Sequence, residues 1–170
     1  MSISSFIQRI GIIGTGHSIS FLVNNLFDYV LYVPVVAYFG PIKGCGIMIA
    51  LSILINLILL KVYDWTGKDW LGLESLKKGK ENLNSLSGWM GNLLKAGDGI
   101  AFIALSFYDP LFTVIYMRKP ENVYKGLSKR DWVIFGFATV LSNIGWTTLV
   151  FGGLSVVRFI MHVIGLPAWF

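Results

Sequence analysis

Apolar runs separated by glycine, proline or basic breaks set the pattern of this chain. Residues 19–39, ISFLVNNLFDYVLYVPVVAYF, and 45–62, CGIMIALSILINLILLKV, are each close to the ~20 residues that a helix needs to cross a bilayer. The turn Gly40-Pro41-Ile42-Lys43-Gly44 between them is short, so the two runs are expected to form an antiparallel helical hairpin. Pro34 is expected to kink the first of them. A third run, 98–117, is long and apolar enough to cross a bilayer yet carries Asp109-Pro110 at its centre. A fourth begins at Trp132, and Gly152-Gly153 is its natural end, giving a span over 132–152. Ser128 followed by Asp131 is the signature of a helix start just before it.

Shorter segments carry a different signal. Ile3, Phe6, Ile7, Ile10 and Ile13 recur at helical spacing among polar neighbours, which predicts an interfacial helix over 3–14. Gly11, Gly14 and Gly16 then read as a hinge into the first span. Leu83, Leu86, Met90, Leu93 and Leu94 repeat similarly, with Trp89 and several lysines nearby, and predict an amphipathic surface helix over 83–95. Its alternative use is as a helix that docks in a partner's groove. Residues 154–170, ending in Pro167, Trp169 and Phe170, form a third interfacial segment.

Composition agrees with this reading. Of 170 residues, 55% are hydrophobic and 14% charged, against about 45–50% and 25% in soluble domains. The fold class expected is all-α: a single polytopic membrane domain over 1–170 with four transmembrane segments, the third kinked or re-entrant. A multi-pass protein of the cytoplasmic membrane, if bacterial, is the implied location. The start of the chain lacks a basic region before its apolar residues and a cleavage pattern after them, so no removable signal peptide is expected.

The net charge of +5 does not point to nucleic acid, because the basic residues flank apolar runs where they orient the chain and meet headgroups. Counting them tests the topology. With four spans and the N-terminus inside, eight basic residues lie inside and six outside. With 97–118 folded back on itself at Asp109, the count becomes twelve against two. Charge favours the folded-back form, whereas arms of only about ten residues, roughly 15 Å, argue against it.

Candidate chemistry is concentrated in the apolar runs. Asp28 and Asp109 are acids at membrane depth, where a carboxylate needs a partner or water and marks ion or proton pathways by default. Asn24, Asn25, Tyr108, Asn143 and Thr147 are candidates to line the same interior. Arg158 and His162, four apart on one face, are possible charge partners for the acids. Ala138, Ser142, Gly145, Thr148, Gly152 and Ser155 form a small-residue stripe suited to close helix packing.

Catalytic signatures are missing: there is no G-x-S-x-G and no H-E-x-x-H. GIIGTGHS has the spacing of a phosphate loop, but His17 stands where the lysine belongs and no α/β unit surrounds it. One cysteine, Cys45, excludes an internal disulfide, and two distant histidines make no metal site. No cofactor and no metal are expected. The functional expectation is a subunit or homo-oligomeric module of a membrane assembly, with lipid and other membrane subunits, or itself, as partners. The alternative is a small transporter or a proton or ion channel using Asp28 and Asp109; a lipid-handling enzyme is the weakest reading.

Overall fold

The computed structural model describes residues 3–79 and 97–164, and among these every regular element is helical. The amphipathic segment 83–95 and the end of the 154–170 segment lie outside the described residues.

Helix α1, Ile3–Asn25, runs unbroken through Gly11, Gly14 and Gly16, where the sequence predicts a hinge. The reason is packing. A Cβ on Gly16 would lie 2.1 Å from the carbonyl oxygen of Trp70, so this glycine admits the 67–72 turn against the helix. Gly14 faces open space. The two therefore respond oppositely to alanine. Gly14→Ala is expected to stabilise by about 0.5–1 kcal/mol through helix propensity. Gly16→Ala is expected to destabilise by about 1–3 kcal/mol through overpacking, and thermal unfolding in detergent separates the two signs.

Leu26–Tyr32 continues α1 as a π-helical stretch, after which α2 covers Val33–Thr66 with Pro34 in its first turn. The π-helical turns end just before Pro34, a usual accommodation of an interrupted hydrogen-bond ladder. Gly40 breaks α2 at φ 75°, ψ 173°, and Pro41 opens the next arm. The chain reverses there: a Cβ on Gly44 would meet the Val36 Cα at 3.1 Å. In a continuous helix residues eight apart lie about 12 Å apart. Tyr32, Val36 and Met48 are buried together inside this hairpin. The expected turn at Gly40–Gly44 thus forms with one residue as its pivot.

Past the turn at Gly67, helix α3 spans Leu73–Gly79. Helices α4, Asp98–Tyr108, and α5, Pro110–Met117, are separated by Asp109 alone, whose backbone is extended at φ −167°, ψ 124°. A 3-10 turn, Pro120–Asn122, leads to α6, Lys129–Val163. Ser128 caps α6 as the sequence predicts: its side chain accepts from the Asp131 amide, and the Asp131 carboxylate accepts from the Ser128 amide. Gly152 and Gly153 do not end α6, which passes straight through both.

Helix α5 is the centre of the fold. Every residue from Pro110 to Tyr116 is buried, and α5 packs against α2, α3, α4 and α6. Leu111, Phe112, Val114 and Ile115 join Leu60, Tyr63, Leu71, Leu73 and Phe135 in the main apolar core. Around this core the outward faces remain apolar: Phe21, Leu22, Leu54, Phe137, Leu149 and Phe159 are all more than half exposed. Two helical stretches, Ile13–Thr66 and Lys129–Val163, are long and apolar enough to cross a membrane.

One end of the bundle is tied together by polar contacts. The Arg118 guanidinium is wholly buried and pairs with Asp64 at the end of α2. Asp64 also accepts the Gly126 amide at 3.1 Å. Lys77 of α3 donates to the Arg118 carbonyl at 3.1 Å and to Glu74 at 2.9 Å. Burial holds the Lys77 ammonium below the usual lysine range, with Glu74 pulling against it. Arg130 donates to the Met117 carbonyl at 3.0 Å, and the Tyr124 ring lies 5.3 Å from that of Tyr63. The loops that follow α2 and α5 therefore share one end.

Candidate functional site

The break at Asp109 faces inward. Because α4 ends and α5 begins on this residue, its side chain serves as the cap of α5, with Oδ1 accepting the Leu111 amide at 2.8 Å. Its main chain belongs to both helices: the amide donates to the Leu105 carbonyl at 2.8 Å, and the carbonyl accepts from the Thr113 amide at 3.1 Å. Oδ2 accepts from Asn24 Nδ2 of α1 at 3.0 Å. Asp109 is 3% exposed, so this carboxylate is met almost wholly by protein.

Around it lies a cavity of about 40 Å³, reached by side chains of α1, the π-helical stretch, α2, α4 and α6. Its polar lining includes Asn24, Asp28, Tyr32, Asn56, Ser142 and Asn143. A volume of this size holds one or a few waters, since one needs only about 10–15 Å³ on the same measure. The cavity walls are themselves ordered. Tyr32 donates its hydroxyl to Asn143, whose amide donates in turn to the Thr139 carbonyl at 2.8 Å. Asn56 donates to Ser52 one turn earlier on α2 at 3.2 Å. Thr147, buried, adjoins the Tyr32 phenol.

Asp28 lines the same cavity as Asp109. Two carboxylates sharing one enclosure repel each other unless a proton or a cation lies between them. Asn24, Asp28 and Tyr32 recur at four-residue steps into the π-helical stretch, and all three line the cavity wall.

A wider groove of about 280 Å³ opens from the same residues toward the flank of the bundle, lined by His17, Ser20, Asn24, Asn25, Asp28 and Tyr108. Asn25 turns its amide back onto the Phe21 carbonyl at 2.7 Å, so it edges the groove rather than the inner cavity. Tyr108 is 54% exposed at the groove mouth, its ring 5.3 Å from that of Phe112. The inner cavity and the outer groove share Asn24, Asp28 and Tyr108, and so form one lining from flank to centre.

No protein-family model, curated protein or solved structure matches this chain.

The remaining site residues of the sequence reading divide in two. Ala138 and Ser142 are buried in the bundle, and a Cβ on Gly145 would lie 2.2 Å from the Phe107 ring, so this half of the stripe packs α4 against α6. Thr148, Gly152 and Ser155 are exposed, beyond the reach of the neighbouring helices. Arg158 and His162 are exposed too, and Arg158 lies about four turns, roughly 22 Å, past Asn143 on α6. Asp109, which the sequence offers as a partner for Arg158 or His162, accepts a side-chain hydrogen bond from Asn24. Among the described residues no group of three or more His, Cys, Asp or Glu is placed to hold a metal ion.

His17 is the residue that the sequence reading passed over. Set aside as part of a chance phosphate-loop spacing, it stands in the groove 5.8 Å from the Phe112 ring. The signal was present: His17, Ser20, Asn24 and Asp28 recur at three- and four-residue steps. A hinge placed at Gly16 hides that stripe, whereas a continuous α1 exposes it.

Proposed function

We propose that the chain is a polytopic membrane protein whose Asp109 cavity binds and passes a proton or a small cation. The observation that carries this reading is a helix broken in mid-bundle with its carboxylate turned into a polar cavity, while the outward faces are apolar. Broken helices at membrane depth are tolerated where protein or water surrounds the irregular backbone, and that is where transporters place their ion sites. The polar groups of this chain largely satisfy one another within one copy, Asn24 with Asp109 and Tyr32 with Asn143. This favours conduction over the idea that the buried charges exist to be met by another subunit.

The topology that fits is three crossings and one re-entrant pair. Asp64 with Arg118, and Lys77 with the Arg118 carbonyl, support placing both basic loops on one side. The sequence between α3 and α4 carries Lys80, Glu81, Asn82, Asn84, Asn92 and Lys95, too polar to cross the bilayer on its own. Helices α4 and α5 then enter and leave from that same side. Their 11 and 8 residues, roughly 16 and 12 Å of helix, reach about the middle of a ~30 Å hydrocarbon core. This arrangement takes the place of the four full crossings and carries the twelve-to-two charge asymmetry.

Two measurements test the reading. In a Cys45→Ser background, Lys68→Cys and Lys125→Cys are expected to react with an impermeant maleimide from the same side of sealed vesicles, whereas Cys45 of the unsubstituted chain is expected to react from the other side. Labelling of 68 and 125 from opposite faces would remove the re-entrant topology. In proteoliposomes, the intact protein is expected to carry protons or monovalent cations above the protein-free background; a tight bilayer under both gradients would remove the conduction reading.

A second reading, self-association, is favoured by the exposed Thr148, Gly152 and Ser155 on α6. Native mass measurement in mild detergent that finds monomers alone would end it.

A further inference from the structure

A second groove, of about 480 Å³, separates α1 from the later arm of α2 and takes no part in the Asp109 site. Ile19, Leu59 and Val62 wall it, Gly11 opens it, and Lys68 and Trp70 close it at the basic end of the bundle. Its interior is apolar for a local reason: Thr15, which also lines it, turns its hydroxyl onto the Gly11 carbonyl at 2.9 Å. Gly11 has no atom within 4 Å of where its Cβ would be, so the space beside it is free. At the closed end stands one exposed cation, Lys68, against the wall formed by Trp70.

We propose that this groove holds one acyl chain of an anionic phospholipid, with the lipid phosphate at Lys68. The assignment rests on the membrane reading above, under which the 67–72 turn lies at headgroup level, where tryptophan and lysine gather. Apolar walls suit the chain, and the Lys68 ammonium suits a phosphate oxygen. Among the described residues that line the groove, the charge is the Lys68 ammonium, which favours a net negative headgroup over a zwitterionic one. The side of the bundle involved is also the one that holds most of the basic residues. The crevice between α1 and α2 is thereby filled by lipid rather than by side chains of the protein.

Native mass spectrometry in mild detergent, with phosphatidylglycerol or phosphatidylcholine of identical chains added, tests this. The wild-type protein is expected to retain one phosphatidylglycerol per chain under conditions that strip phosphatidylcholine. Lys68→Gln, a change at an exposed position, should erase the difference between the headgroups. Gly11→Trp should fill the groove and abolish retention of both lipids while leaving the unfolding temperature close to wild type. Equal retention of the two lipids by the wild type, or undiminished phosphatidylglycerol on Gly11→Trp, would overturn the assignment. A protein that stays dispersed in water without detergent instead refutes the membrane reading, so the two failures are distinguishable.

Discussion

Arg118→Ala is expected to leave little folded protein. The Arg118 side chain is wholly buried and Asp64 is only 15% exposed, so deleting the guanidinium strands a carboxylate in a largely dry site. Breaking such a pair by removing one partner costs about 3–5 kcal/mol, a large part of the stability of any domain. The arrangement is nonetheless poorly satisfied, because Nε and Nη2 of Arg118 have no hydrogen-bond partner. Replacing both charges should therefore be far milder than removing one. Asp64→Asn keeps an oxygen for the Gly126 amide, and Arg118→Met fills similar volume without unmet donors. Size-exclusion profiles after heating provide the comparison: Arg118→Ala is expected to aggregate at the lowest temperature, with Asp64→Asn/Arg118→Met near wild type. A double variant no better than the single one would show that the charge itself is needed for folding.

Asp109→Asn is expected to abolish transport while preserving the fold. Asparagine ranks with aspartate as a helix cap, so its side-chain oxygen can still accept from the Leu111 amide. Its new amide would face the Asn24 amide, and a rotation of Asn24 by half a turn offers an oxygen in return. The expected stability change is accordingly under about 1 kcal/mol. The charge, by contrast, is gone, and flux in proteoliposomes should fall to the protein-free background. Asp109→Ala is the contrasting control, since it also removes the cap and should lose about 1 kcal/mol of stability with the flux. Full flux through Asp109→Asn would exclude this carboxylate as the carrier.

The hydrophobic pattern made much of this architecture legible. The hairpin at Gly40–Gly44, the Ser128 cap and the break at Asp109 follow from local chemistry: proline and glycine in a turn, a hydroxyl before an acid, an Asp-Pro pair. The polar stripe of Thr139, Asn143 and Thr147 on α6 was equally readable, because helical periodicity assigns faces without reference to neighbours. What stayed hidden depends on contacts between distant segments. Nothing near Gly16 in sequence announces that Trp70 presses against it, so a glycine needed for close packing reads as a hinge. The Asp64–Arg118 pair joins residues 54 positions apart, and it bears on the topology that charge counting and arm length left in conflict. The π-helical stretch has no periodic signature of its own.

Under the proposed membrane reading, the unbroken length of α6 bears on the kind of bilayer that suits this protein. Thirty-five helical residues measure about 52 Å, more than the roughly 40–45 Å of a bilayer including its headgroups. Val156, Phe159, Ile160 and Val163 near its far end are apolar and exposed, so that end gains nothing by standing in water. A tilt of about 30° brings the helix within the bilayer and lies inside the range that membrane helices adopt. Bilayer thickness then becomes a mechanical input. A thinner membrane tilts α6 further, and the contact of Gly145 with Phe107 passes that rotation to α4, one residue short of Tyr108 and two short of Asp109.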